Sequence, residues 1–120
     1  MGNRILIGLL GMVSFTSCYQ PERNCNDFKT GDFTFEYEVN GIKKNSNFTR
    51  TDKYSIEHYE SKIDTATVRW INDCEFVLNP SDHKTPIHYK IVSTTANSYI
   101  FEYNVVGKAK KYKGIAIKTN

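Results

Sequence analysis

From Gly31 onward the chain alternates. Phe33, Phe35, Tyr37 and Val39 are interleaved with Thr34, Glu36 and Glu38. A period of two places one apolar and one wet face on a strand. Asn40-Gly41 follows, a dipeptide suited to a two-residue hairpin because both residues tolerate positive φ. The return strand is predicted from about Ile42 to Arg50. Thr51-Asp52-Lys53 turns the chain into a third strand, Tyr54 to Glu60. Ser61-Lys62 leads into the longest candidate, Ile63 to Ile71. Asn72-Asp73 then reads as a second two-residue turn, which would set Ile71 opposite Cys74 and Trp70 opposite Glu75. Cys74 to Leu78 runs back, and Asn79-Pro80-Ser81-Asp82 is a loop. Pro86 stands near the start of Ile87 to Thr94, where a missing N–H does least harm. Ala96-Asn97 separates that strand from Ser98 to Val106, and Gly107 turns the chain into a last strand, about Lys110 to Lys118.

No stretch carries a helical period. Eight short strands with turn signals every 8–12 residues or so predict an all-β domain, a single antiparallel barrel or barrel-like sandwich of lipocalin-like plan. Hairpins in sequence favour the up-and-down barrel, which also removes exposed strand edges.

The pattern differs before residue 18. Arg4 precedes an apolar run from Ile5 to Phe15, and Thr16-Ser17-Cys18 closes it. A charged start, a short apolar centre and small residues at the end describe a secretory leader. The run is shorter than the roughly 20 residues a spanning helix needs. Ser14-Phe15-Thr16-Ser17-Cys18 resembles a lipobox, although Phe15 stands where Leu is usual. Residues 1–17 are therefore expected to be removed and Cys18 to carry lipid. Each buried methylene is worth about 0.8 kcal/mol, so several acyl chains anchor a protein without a spanning helix. Residues 18–30 read as lipidated cysteine and tether, with Pro21 in a polar stretch, and residues 31–120 as the β domain. Surface-exported lipoproteins carry several acidic residues just after the cysteine. Here Glu22 stands alone, so the expected place is the outer membrane, on its periplasmic face.

Removing the leader leaves 103 of 120 residues, enough for one small domain. Arg4 is the leader's one charge, so the mature chain stays mildly basic, too weakly for a dedicated nucleic-acid surface. Val, Ile, Thr, Tyr and Phe dominate, and Leu78 is the sole leucine after the leader; that composition favours strands. With Cys18 acylated, Cys25 and Cys74 remain as a pair in a compartment where disulfides persist. A bridge closing about 50 residues would stabilise by roughly 4 kcal/mol in the chain-entropy model. The alternative is two separate buried thiols. A metal site is disfavoured, because there is no C-x-x-C spacing and His58, His83 and His88 stand at no metal-ligand interval from the cysteines.

Asn24-Cys25, Phe28-Lys29-Thr30-Gly31, Phe33, Arg50, Glu57 and the run Trp70-Ile71-Asn72-Asp73-Cys74-Glu75-Phe76 with Leu78 together resemble a family of small flavobacterial lipoproteins. The resemblance covers most of residues 24–78, and W-x-x-x-C-E-aromatic is its most specific piece. Such proteins often carry the name DNA topoisomerase IV. A type II topoisomerase needs an ATPase domain, a tyrosine-bearing cleavage domain and a metal-binding acidic cluster, which 103 residues cannot house. The resemblance implies location and fold, and no activity.

Candidate chemistry is sparse. Glu36 and Glu38 share the polar face of one strand and read as solvated. Arg50, Glu57 and Trp70 are expected to meet at a barrel mouth, as a salt bridge closing the barrel end or as a ligand site, since Arg both forks to carboxylates and stacks on aromatic rings. Lys108, Lys110, Lys111 and Lys113 surround Tyr112. They read as a solvated face, with nucleic acid or lipid headgroups beside the anchor as alternatives. No cofactor and no catalytic set is expected. The sequence points to a non-catalytic, lipid-anchored envelope module that meets the membrane through its anchor and serves a structural or interaction role with an envelope protein. The alternative is a lipocalin-like carrier of a small apolar ligand. A lined cavity of about 300 Å³ or more would favour the carrier.

Overall fold

The computed structural model describes residues 23–82 and 85–120. The expected leader, Cys18 and His83 lie outside the described residues. Eight strands run in chain order around a closed antiparallel barrel: β1 (Gly31–Val39), β2 (Ile42–Arg50), β3 (Tyr54–Tyr59), β4 (Lys62–Asn72), β5 (Glu75–Pro80), β6 (Ile87–Thr94), β7 (Ser98–Val105) and β8 (Tyr112–Lys118). Each strand pairs with the next, and β8 closes on β1 with Phe35 opposite Ala116. The up-and-down barrel follows from local chemistry. At the β1–β2 turn Asn40 has φ 51° and Gly41 φ 81°, the conformation that this dipeptide accepts.

Alternation sorts the faces. Phe33 and Phe35 point inward from β1, Phe48 and Arg50 from β2, Phe76 from β5, Ile91 from β6, and Tyr99 and Phe101 from β7; most of these are buried. Glu36, Asn45, Asn47, Arg69 and Lys90 stand exposed on the outer face. A barrel that spans a membrane carries an outward apolar band about 25 Å tall; here the apolar side is the inner one. No described helix is long and apolar enough to cross a membrane. Small residues on β8 make room for the rings: a Cβ on Gly114 would meet Phe101 Cζ at 2.6 Å and Phe35 Cε2 at 3.1 Å.

Two expectations need correction. The segment read as tether, residues 18–30, ends inside the domain. Cys25–Phe28 form a 3-10 helix in which Cys25 and Phe28 are 3% and 1% exposed. The tether reading missed it because the stretch is polar except for those two side chains, and they are the ones that go in. The β4–β5 turn also differs. Its residues are Asp73 and Cys74, Asn72 faces Glu75, Trp70 faces Phe76, and Ile71 is a bulge. Asn72 accounts for the shift. Its Oδ1 accepts the Cys74 N–H at 2.9 Å and its Nδ2 donates to Glu75 Oε2 at 3.0 Å, an Asx-type turn that competes with a plain hairpin.

Candidate functional site

The barrel has two unlike ends. At the end where β1 begins, the 3-10 helix lies over the opening as a plug. The Cys25–Cys74 disulfide ties it to the β4–β5 turn, with Cα atoms 5.3 Å apart. Phe28 packs edge-on against Tyr99, ring centroids 5.3 Å apart. Asn24 N–H donates to Thr94 Oγ1 at 2.9 Å, Lys118 Nζ donates to Asp27 O at 2.7 Å, and Lys29 pairs with Asp73 at 3.2 Å. The opposite end carries the β1–β2, β3–β4, β5–β6 and β7–β8 connections and has no such cover among the described residues.

Arg50 sits under the plug and is 2% exposed. Its Nε donates to Lys29 O at 3.1 Å, and Nη2 donates to Phe28 O at 2.5 Å and to Tyr99 Oη at 3.1 Å. The guanidinium carbon lies 4.7 Å from the centroid of Phe76 and 4.9 Å from that of Phe33. The rings of Phe48, Trp70 and Tyr99 surround it at 5.4–5.7 Å. Arg suits this place better than Lys, because its planar cation is weakly hydrated and both forks and stacks.

Arg50 and Trp70 therefore do meet, at the closed end. Trp70 is half-buried and packs on Phe76 at 4.6 Å. Glu57 does not join them as a salt partner. The ion pairs among the described residues are Lys29–Asp73 and His88–Glu75, and Glu57 Oε2 instead accepts from Ser46 Oγ at 2.8 Å. The expected Arg50–Glu57 salt bridge is corrected: the plug's carbonyls, near in space yet 21 and 22 residues away in sequence, take the guanidinium. Nothing in the spacing of Arg50 could have shown that, since the plug is set over the barrel by the distant Cys25–Cys74 bond and by Phe28 packing on Tyr99.

Arg50 and Glu57 nonetheless share a wall. With Ser55, Tyr89 and the rings of Phe35, Phe48, Phe76 and Phe101 they line an inner cavity of about 40 Å³, room for two or three waters or so. A wider depression of about 280 Å³ at the mouth shares Ser55, Glu57, Leu78 and Tyr89 with it and adds Asp64, Thr65 and Ile87. A ladder of stacked rings runs from the core to this end: Phe76–Tyr89 at 5.0 Å, Tyr89–Tyr103 at 5.5 Å and Tyr103–Tyr112 at 5.4 Å. Burial pushes the phenols of Tyr37, Tyr89 and Tyr103 above their ordinary value, with the Glu57 charge adding to the effect on Tyr89.

The remaining candidates stand apart. Glu36 and Glu38 are exposed, as expected of a solvated face. His88 Nε2 lies 2.9 Å from Glu75 Oε1. The Glu75 carboxyl is held below its usual value, chiefly by the Asn72 amide. His58 is exposed, and no three His, Cys, Asp or Glu side chains among the described residues gather as a metal site. The Lys108–Lys113 cluster lies on the β7–β8 connection and the start of β8, so it occupies the open end. It lies at the end opposite the chain's entry at Arg23. Comparison with family models, with curated proteins and with solved structures finds no match.

Proposed function

We propose that the mature chain is a lipid-anchored, non-catalytic module of the cell envelope, held at the periplasmic face of the outer membrane by acylated Cys18. Its resemblance to small flavobacterial lipoproteins supports that placement. The observation that favours a structural or interaction role over a carrier is the filled interior. A small-molecule site encloses roughly 300–1,000 Å³; the inner cavity here has about 40 Å³ beneath a disulfide-bonded plug, and the depression of about 280 Å³ that shares part of its wall carries Glu57, Asp64 and Asp82, which do not suit an apolar ligand. Aromatic side chains take the space that a ligand would need. The disulfide agrees with export, because such bonds persist outside the reducing cytoplasm.

The anchor is tested by fractionation with a labelled fatty acid. Wild-type protein takes up the label and stays with the membrane, and Cys18→Ser releases it to the soluble fraction. A Cys18→Ser protein that still sediments with membranes, with no label in the wild type, refutes the anchor. The carrier reading is tested on the same preparation by native mass spectrometry of the extracted protein: a stoichiometric small apolar molecule would establish it, and the filled interior leads us to expect none.

A further inference from the structure

Building on that reading, we propose that the open rim around the β7–β8 connection is a docking surface for a cell-wall glycan whose peptide substituents end in carboxylates. The observation behind it is a one-sign patch that is ordered. After Glu102 the chain has no acidic residue, while Lys108, Lys110, Lys111 and Lys113 follow within six positions and all four are exposed. The segment that carries them is held in shape. Asn104 Nδ2 donates to Val105 O and to Lys108 O, both at 3.2 Å, and Lys108 N–H donates to Val105 O at 2.9 Å. Gly107 takes φ +92° to make the turn. Lys110 Nζ stands 5.3 Å over the ring of Tyr112, and that ring stacks on Tyr103, the outer rung of the ladder from the core. The cations are thus presented from a rooted surface, and less ordering is lost when a partner binds.

None of the four is held in an ion pair among the described residues. Lys113 faces Glu102 across the strand pair, and the other three precede β8 and lie outside its ladder. Lys43 and Lys62, at the starts of β2 and β4, add cations at the same end. Glu38, Glu60, Asp64 and Asp82 stand there too, with Glu38 opposite Lys43; the β7–β8 connection itself carries lysine alone.

Geometry selects the partner. The described chain enters at Arg23, five positions after Cys18 and at the plugged end, so the tether reaches about 18 Å at most. That makes the plugged end the membrane-proximal one. Strands of this length, tilted as in small barrels, set the rim roughly 20–25 Å further out. Charge effects fade over a Debye length of about 8 Å, which removes the anchoring leaflet as what these lysines face. Lysine is a compact charge without the fork that holds one anion bidentately, so each single pair is weak. A row of four suits repeated carboxylates on a polymer, where weak single pairs add through multivalency.

The test uses the purified full-length protein in detergent and insoluble peptidoglycan, intact or with its carboxylates amidated. Wild type is expected to sediment with the intact glycan at about 50 mM salt, to leave it by about 0.5 M, and to ignore the amidated form. Replacing Lys108, Lys110, Lys111 and Lys113 by Gln should weaken sedimentation about tenfold or more at an unchanged melting temperature. No sedimentation at low salt, equal sedimentation with amidated glycan, or a variant that binds like wild type overturns the proposal. So does stronger retention of the unacylated Cys18→Ser protein, in detergent-free buffer, on phosphatidylglycerol vesicles or on single-stranded DNA. None of these arms needs the anchor, so a Cys18→Ser protein that stays with membranes sinks the anchor reading, and failed glycan binding sinks this one.

Discussion

Arg50→Met is the most informative single change in this molecule. The substitution nearly keeps the side chain's length and removes its charge and its donors. Replacing a buried ion pair with apolar side chains is often neutral or stabilising, so a first guess would be a small effect. The structure argues otherwise, because Arg50's partners are fixed parts of the plug. Phe28 O, Lys29 O and Tyr99 Oη each accept from the guanidinium, and Met offers them nothing. A buried polar group left without its partner costs about 1–3 kcal/mol. Lys29 is half-buried and its carbonyl can turn to water, so two of the three losses count in full. The loss of cation–π contact with the enclosing rings adds about 1–2 kcal/mol, partly recovered by sulfur–aromatic contact from Met. The sum is about 3–6 kcal/mol. For a domain near 100 residues, each kcal/mol moves the melting temperature by about 4–8 °C, so the midpoint should fall by at least about 12 °C. Arg50→Lys keeps the charge and loses the fork, and should fall between the two. Urea unfolding with tryptophan fluorescence reads both, since Trp70 is the one tryptophan and lies 5.7 Å from the guanidinium. A midpoint for Arg50→Met within about 0.5 kcal/mol of wild type would refute the plug's dependence on Arg50.

Further expectations follow from the same contacts. The Cys25–Cys74 bridge spans 49 positions, so Cys25→Ser with Cys74→Ser should lose about 4 kcal/mol and expose the segment around Cys25–Phe28 to protease; an unchanged cleavage pattern would show that the plug is held without the bond. Trp70→Ala should cost about 3 kcal/mol, the low end for a tryptophan because it is half-buried, and a melt that does not move would overturn its structural role. Alkaline stability should fall as pH rises past about 10. Tyr37, Tyr89 and Tyr103 have raised folded values, so above the unfolded value the unfolded state loses protons that the folded state keeps. Phenolate absorbance measured against pH should show these three lagging the exposed tyrosines, and one uniform transition near pH 10 would contradict their burial.

The fold was legible in the sequence because its determinants are local. Period-two alternation in Phe33–Val39 needs only neighbouring side chains, and Asn40-Gly41 turns the chain by its own backbone preference. β2 and β6 have the predicted bounds, and eight strands joined by short turns leave few ways to pair. The disulfide was legible by count once Cys18 was set aside. Three features were not legible, and two of them depend on residues far apart in sequence. The plug is visible only when Cys25 and Phe28 reach strands more than 40 positions later. The bulge at Ile71 rests on how Asn72 divides its hydrogen bonds between Cys74 and Glu75. The choice of partner for Arg50 is a competition between Glu57, on the neighbouring strand two positions along from the residue facing Arg50, and the plug carbonyls above it. A carboxylate attracts a guanidinium more strongly in isolation, but closure of the barrel buries Arg50 beneath Phe28 and Lys29, and burial requires that its donors be satisfied by the acceptors within reach.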